Sequence, residues 1–214
     1  MRTDGGTGTG GRSGGGIAPG FRDYTLASQA VFRLALSALS RPARRFPADF
    51  AGLFATAPPM PVMLAAMALT LADSLTPVWL SPSLEGSAEW LTFHRSVPSA
   101  GTPELAALVL AASPEELPPL WELSQGTDRY PDRSATVILG GVLAENGGGV
   151  PAMASGPGIR EAEPFEGHGL GKEFMDAWAE NRAAYPQGVD VFLAGPGCLA
   201  GLPRSVSLRP ISGR

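Results

Sequence analysis

Glycine and proline interrupt this chain so often that none of its elements can be long: 28 glycines and 21 prolines fall within 214 residues. Apolar residues nonetheless make up 44% and charged residues only 17%, so a sizeable core is available to whatever short elements form. Helical and strand-like segments alternate along the sequence. That pattern predicts an α/β fold, a three-layer αβα sandwich around a mixed sheet. No repeat of solenoid period is present. Residues 1–20 hold nine glycines and little that can be buried. They read as a flexible Gly-rich tail before a single domain over 21–214.

The segments can be placed by periodicity. Ser28 is a plausible N-cap for a helix to Ser40, with Phe32, Ala35, Leu36 and Leu39 at helical spacing and Pro42 as the stop. A second helix starts at Pro61 and carries Val62, Leu64, Ala65, Ala68 and Leu69 inward. Asp73-Ser74-Leu75 breaks it before a short buried strand, Pro77–Leu80. Glu89–His94 reads as a helical turn and Ala106–Ala111 as a strand. Pro114 opens another helix through Glu115, Leu117, Leu120 and Leu123. Ala135–Val142, dense in β-branched residues, is the clearest strand. A Gly-rich hairpin over Asn146–Gly149 returns the chain to a strand at Val150–Ser155. Leu170–Ala184 is amphipathic, with Leu170, Phe174, Ala177 and Trp178 on one side. Val189–Ala194 and Leu199–Pro203 flank a Gly195-Pro196-Gly197 turn as a terminal hairpin.

Several function classes are excluded by composition. A net charge of −4 gives no electrostatic footprint for nucleic acid and no polybasic membrane signal. The longest apolar stretch, Met60–Ala72, falls short of the ~20 residues a bilayer span needs. The start lacks the apolar segment of a signal peptide. One cysteine, Cys198, rules out an intrachain disulfide framework, a multi-cysteine zinc site and a cysteine-ligated iron–sulfur cluster. Of the 16 basic residues only Lys172 is lysine, so any Schiff base would have to use it.

The local motifs are weak. Gly6–Gly11 fits the letters of G-x-G-x-x-G without the strand and helix the mechanism requires. Gly167–Glu173 resembles a phosphate loop, but Glu166 occupies the first glycine position and Glu173 the Mg²⁺-binding hydroxyl position, so it reads as the start of a helix. His94 and His168 have no second ligand at metal spacing, and His94, after Trp90, Leu91 and Phe93, reads as a half-buried, hydrogen-bonded histidine. No serine sits in a G-x-S-x-G turn. Cys198 has no local base and reads as structural. The densest polar stretch, Glu122–Ser134, joins a helix to the best strand; turn stabilisation by Gly126, Asp132 and Ser134 competes there with ligand or partner contact. Ser155–Arg160 is a tight turn whose amides, with Arg160, offer an anion site, or a plain turn.

Ordered motifs then point to a family. Phe32-Arg33 with Leu39 and Pro42, Leu69–Asp73 leading into Thr76–Leu80, and Phe93-His94 resemble the PhnH family, the H subunit of the bacterial carbon–phosphorus lyase system. The likeness continues through Gly126–Thr136, Gly156–Ile159, Pro186 with Gly188-Val189-Asp190, and Leu202-Pro203-Arg204, covering residues 28–207 in order. Two departures fall in turns: Ala43 stands where glycine is expected after the proline, and Arg95-Ser96-Val97 replaces a more usual Thr-Gly-Ala.

The resemblance implies a cytoplasmic subunit that forms homodimers and assembles with the G, I and J proteins. Together with the L subunit, such complexes attach a phosphonate to ribose C1 of ATP with loss of adenine, and a separate radical subunit later cleaves the C–P bond. It implies a fold like the large domain of pyridoxal-phosphate transferases without the cofactor site, hence no cofactor of its own, no metal, and no nucleic-acid or membrane partner. Three functions stay open: a non-autonomous subunit, a stand-alone enzyme of pyridoxal-transferase type using Lys172, and a module binding phosphonate or nucleotide. The first predicts exposed apolar patches, with Trp79, Trp90, Trp121 and Trp178 as candidates. The third needs a basic pocket drawn from Arg33, Arg129, Arg133, Arg160 and Arg204. Asp73, Thr76, His94, Gly126, Ser134, Arg160 and Arg204 are the candidate ligand or subunit contacts; catalytic residues are not assigned.

Overall fold

The computed structural model describes residues 17–144 and 148–211; residues 1–16, with the Gly6–Gly11 motif, and the first half of the expected Asn146–Gly149 hairpin lie outside them. Four neighbouring strands of a six-stranded sheet run parallel: β2 (Val78–Leu80), at the sheet's edge, then β3 (Leu108–Ala111), β4 (Thr136–Leu139) and β7 (Asp190–Gly195). They keep one register, with Val78, Leu108, Thr136 and Asp190 side by side. β8 (Cys198–Leu202) folds back antiparallel on β7 across the Gly195–Gly197 turn, as its flanking sequence predicts. The two-residue β1 (Phe46–Pro47) closes that edge against β8. The sheet is therefore mixed.

Side chains alternate between two cores. Leu108, Leu110, Ile138, Phe192 and Leu199 point to one face, where α1 (Tyr24–Ser40), α2 (Val62–Leu71) and α3 (Ala88–Arg95) pack. Val109, Val137, Leu139, Val191 and Leu193 point to the other, beneath α4 (Lys172–Ala183). A parallel strand buried on both faces must be apolar at successive positions, which is why Val137, Ile138 and Leu139 are all at 0% exposure. α2 obeys the same rule: Met63–Leu69 are buried without interruption, so this helix is apolar all round.

The second outer layer departs from a purely helical one. β5 (Ala152–Ser155), β6 (Glu163–Phe165) and β9 (Ser207–Pro210) form a separate antiparallel sheet beside α4. β5 thus does not return against β4 as the hairpin reading expected. Trp178 ties the layer together, fully buried, with Nε1–H donating to Val206 O at 3.0 Å.

Three further sequence expectations are corrected. The first helix begins four residues before Ser28: Asp23 is the N-cap and accepts from Leu26 N at 3.0 Å. Its buried stripe is Ala27, Val31, Ala35 and Ala38, while Phe32 and Leu36 stand exposed. Small residues face inward because α1 lies close on β8, where a Cβ on Gly201 would come within 2.6 Å of Ala38 O. The helix expected from Pro114 is two short 3-10 turns, Pro114–Glu116 and Leu120–Glu122. Pro118 and Pro119 lie between them and remove the amide donors a helix would need.

The two positions where glycine was expected explain themselves. Ala43 has φ 62° and Ser96 φ 54°, both in the left-handed region that glycine adopts without steric penalty. Ser96 is the C-cap of α3, its amide donating to Thr92 O, and Ala43 N donates to Gly201 O at 2.9 Å, so both turns are held despite the side chains. Ala43→Gly and Ser96→Gly are each expected to raise unfolding free energy by about 0.5–1 kcal/mol. Ala179→Gly, at an exposed position of α4, should lower it by about 1 kcal/mol. Urea denaturation of the three variants checks the sign at each.

Candidate functional site

Open parallel sheets place ligands beyond the carboxyl ends of their strands. Here that end holds a cleft of about 570 Å³, bounded by Gly140 and Gly141 after β4, by the Gly195–Gly197 turn and by the first turn of α2. Its walls are mostly apolar, and Asp49 is the one charged residue lining it among the described residues. A second opening continues past Ala144 and Pro196 to Arg45 and Cys198. The Arg45 guanidinium donates to Leu143 O and stands 3.7 Å from Cys198 Sγ. Glycine is obligatory at Gly141, with φ 68° and Ser113 against it, and at Gly140, where a Cβ would meet Ala112 O at 2.8 Å.

Three of the seven sequence candidates gather at the opposite end of the strands. Arg204, at the close of β8, donates to both carboxylate oxygens of Asp190, through Nε to Oδ1 at 3.1 Å and Nη2 to Oδ2 at 2.6 Å. Its Nη2 also donates to Ser134 Oγ at 2.6 Å and its Nη1 to Pro131 O at 2.8 Å. Both ionic side chains are largely buried, at 13% and 25% exposure. Gly126 supports the same loop with φ 72°, where a Cβ would meet Pro131 O at 2.9 Å. Gly126, Ser134 and Arg204 are thus brought together, as a clamp joining the 126–134 loop to the start of β7. Asp128 accepts from Gln187 Nε2 at 2.7 Å and adds a second tie.

The remaining candidates stand elsewhere. Asp73 and Thr76 close one turn: Thr76 Oγ1 donates to Asp73 Oδ1 at 2.7 Å, and Leu75 N donates to the same oxygen at 2.9 Å. The Thr76 hydroxyl, then the Leu75 amide, hold this exposed carboxyl below its usual range, with Arg95 adding to the effect. His94 is half-buried as expected, its Nε2 2.9 Å from Ala18 O, which also accepts from Trp90 Nε1 at 2.7 Å. Gly20 lies on the imidazole, so Ala18 and Gly20, assigned by composition to the tail, pack on α3. Arg160 is exposed and apart from the others. Its turn packs the end of α1, where a Cβ on Gly158 would strike Ser40 O at 2.6 Å.

The five arginines offered as a basic pocket do not converge. Arg204 is committed to Asp190, Arg129 and Arg133 lie over the Tyr130 ring, and Arg33 is exposed on α1. Lys172 stands in solvent at 80% exposure, paired with Asp176, on the first turn of α4. Among the described residues no three His, Cys, Asp or Glu side chains are grouped to hold a metal, and no helix is long and apolar enough to cross a membrane. The Glu166–Gly171 segment is packing: Gly167 lies against the Val150 backbone and His168 O accepts from Leu143 N at 3.0 Å. Reasoning from sequence missed Arg45, Asp49 and Asp190; only the Gly140-Gly141 pair after the best strand signalled the carboxyl-end cleft.

A mixed-sheet α/β domain whose largely buried Arg204–Asp190 pair ties a loop to the sheet is the class of protein these observations define. Comparison makes this specific. The model of the family described as bacterial phosphonate metabolism protein (PhnH) matches residues 19–209. A relative from Rhizobium meliloti (strain 1021), alpha-D-ribose 1-methylphosphonate 5-triphosphate synthase subunit PhnH, is 35% identical over 194 residues, covering 88% of this chain and 93% of its own. The chain belongs to the PhnH family.

Two outcomes follow from this geometry. Arg204→Ala leaves Asp190 with its carboxylate in a largely buried place and is expected to lower stability by about 2–4 kcal/mol, measured by urea unfolding, with Arg204→Lys recovering only part. His168 is buried, and that burial, aided by Arg45 and opposed by Glu166, lowers its proton affinity below the ordinary value of 6.5. The unfolded chain therefore takes up this proton first. Stability from the neutral ring is complete above that value and is lost as pH falls through it. Between about pH 7.5 and 5.5 the urea midpoint of the wild-type chain should fall more than that of His168→Asn, which also tolerates the left-handed φ of 47°.

Proposed function

We propose that this chain is a non-autonomous subunit of a ribose 1-methylphosphonate 5-triphosphate synthase complex in organophosphonate catabolism. It supports the step in which a phosphonate oxygen attacks ribose C1 of ATP and adenine leaves. The observation that carries this reading is an apolar face at the amino ends of β3 and β4. Phe32, Leu36 and Leu39 of α1 form a groove of about 270 Å³ with Leu71, Leu108 and Phe192. Phe32 is 47% exposed, Leu36 53%, and Leu75, next to the groove-lining Thr76, is 87% exposed. Side chains of this size left open together mark a subunit contact. Of the four tryptophans offered as patch residues, Trp90 and Trp178 are core, Trp79 is half-buried, and only Trp121 stands open.

In this proposal the domain covers 21–214, the fold is that of the large domain of pyridoxal-phosphate transferases without a cofactor, and the protein is cytoplasmic. It pairs with a second copy through the α1 face and joins G, I and J subunits, with L acting in the ATP reaction. The runner-up, a module that binds phosphonate or nucleotide by itself, is distinguished by titrating the isolated chain with methylphosphonate and with ATP.

The experiment is co-expression of the tagged chain with its genomic neighbours, followed by subunit composition and adenine release from ATP and methylphosphonate. A particle whose adenine release disappears when this chain is omitted supports the reading; a chain that captures no neighbour overturns it. Phe32→Glu with Leu36→Glu, both at exposed positions, should convert the dimer to monomer in light scattering while leaving the thermal transition within a few degrees of wild type.

A further inference from the structure

The segment Pro114–Trp121, held out of helical form by Pro118 and Pro119, runs alongside α4 and leaves a groove of about 580 Å³ between them. Leu117, Leu120, Phe174 and Ala177 give it an apolar floor. Trp121 stands on its rim at 66% exposure, the only tryptophan the fold leaves open. Four carboxylates border it: Glu115, Glu173, Asp176 and Glu180. Lys172 offsets Asp176, but among the described residues Glu115, Glu173 and Glu180 pair with no cation.

The arrangement works against the isolated chain. Glu173, Asp176 and Glu180 share one stripe of α4 at spacings of three and four residues, so their charges repel along the helix. Glu180 also lies in the last turn, at the negative end of the helix dipole. Neither the Glu173 nor the Glu180 carboxylate is hydrogen-bonded among the described residues; Glu173, in the first turn, is favoured by the helix dipole and lies near Lys172, so Glu180 is the carboxylate that local structure does not account for. An open indole face beside unpaired carboxylates over an apolar floor complements a cation on an apolar stem. The stem lies on the floor, and the head meets the ring and the carboxylates.

We infer that this groove docks a basic, arginine- or lysine-bearing segment of another subunit of the synthase complex. The inference rests on the subunit reading and uses a surface separate from the α1 face assigned above to the second copy. Charge complementarity selects the occupant: a second copy of this chain would bring the same acidic stripe to the groove.

The test uses the co-expressed complex purified at about 50 mM and about 500 mM salt, with Glu173→Lys/Glu180→Lys and Trp121→Ala made separately. All three positions are exposed, and circular dichroism melts confirm that each variant folds. One subunit should be lost from the double variant, and its affinity for the remainder should fall about tenfold or more. Trp121→Ala should weaken the same subunit, and high salt should release it from the wild-type particle. A double variant that keeps every subunit with unchanged salt dependence overturns the inference while the subunit reading stands. A double variant whose self-association alone changes assigns the groove to a second copy and overturns it as well. A wild-type chain that captures no subunit overturns both readings.

Discussion

The structure depends on burying the inner parallel strands β3, β4 and β7 on both faces. Val109 and Leu110, or Val137 and Ile138, send successive side chains into opposite cores, so neither face can be left to water. Everything placed outside the sheet follows from covering it. On one side α2 is submerged, with α1 and α3 around it. On the other α4 alone is too narrow, and the small antiparallel sheet completes the cover. The price of so short a chain around so demanding a sheet is close approach. Gly201 beneath Ala38, Gly158 beneath Ser40 and Gly140 beside Ala112 are all places where a single methyl would strike a backbone carbonyl.

That constraint explains which parts of the fold were legible in the sequence. Val137-Ile138-Leu139 and the Gly195-Pro196-Gly197 turn announce themselves, because β-branched runs and turn glycines act locally. The partner of β5 does not: a strand followed by glycines reads as a hairpin, and only tertiary packing sends Ala152–Ser155 into another sheet. Periodicity located α1 but misassigned its inner face. Phe32 and Leu36 are more apolar than Ala35 and Ala38, yet the tight fit over Gly201 admits only the alanines. Periodicity reports apolar residues without saying whether the sheet or another molecule covers them.

The candidate site was legible in a similarly partial way. Gly126, Ser134 and Arg204 stood out as polar or turn residues in the family-like patches, and they do meet. What they build is a clamp at the amino ends of the strands, with Asp190 as the charge that Arg204 exists to satisfy. The pairing of residues 190 and 204 follows from the β7–β8 hairpin and was in principle visible; the convergence of Ser134 and Pro131 on the same guanidinium was not. Asp73 and Thr76 satisfy one another, and His94 holds the chain that crosses α3. Each is explained by what it stabilises.

This distribution of charge bears on how such a chain can contribute to chemistry. Here the carboxyl-end cleft is mostly apolar, the clamp arginine is saturated, and the one lysine lies in solvent beside Asp176. The groups left unspent are on the outside: Phe32 and Leu36 on α1, Trp121, and Glu173 and Glu180 of α4. They differ in kind, one face apolar and the other aromatic and acidic. Two faces of different chemistry suit different neighbours, as the proposed subunit role between a second copy and an unlike partner requires.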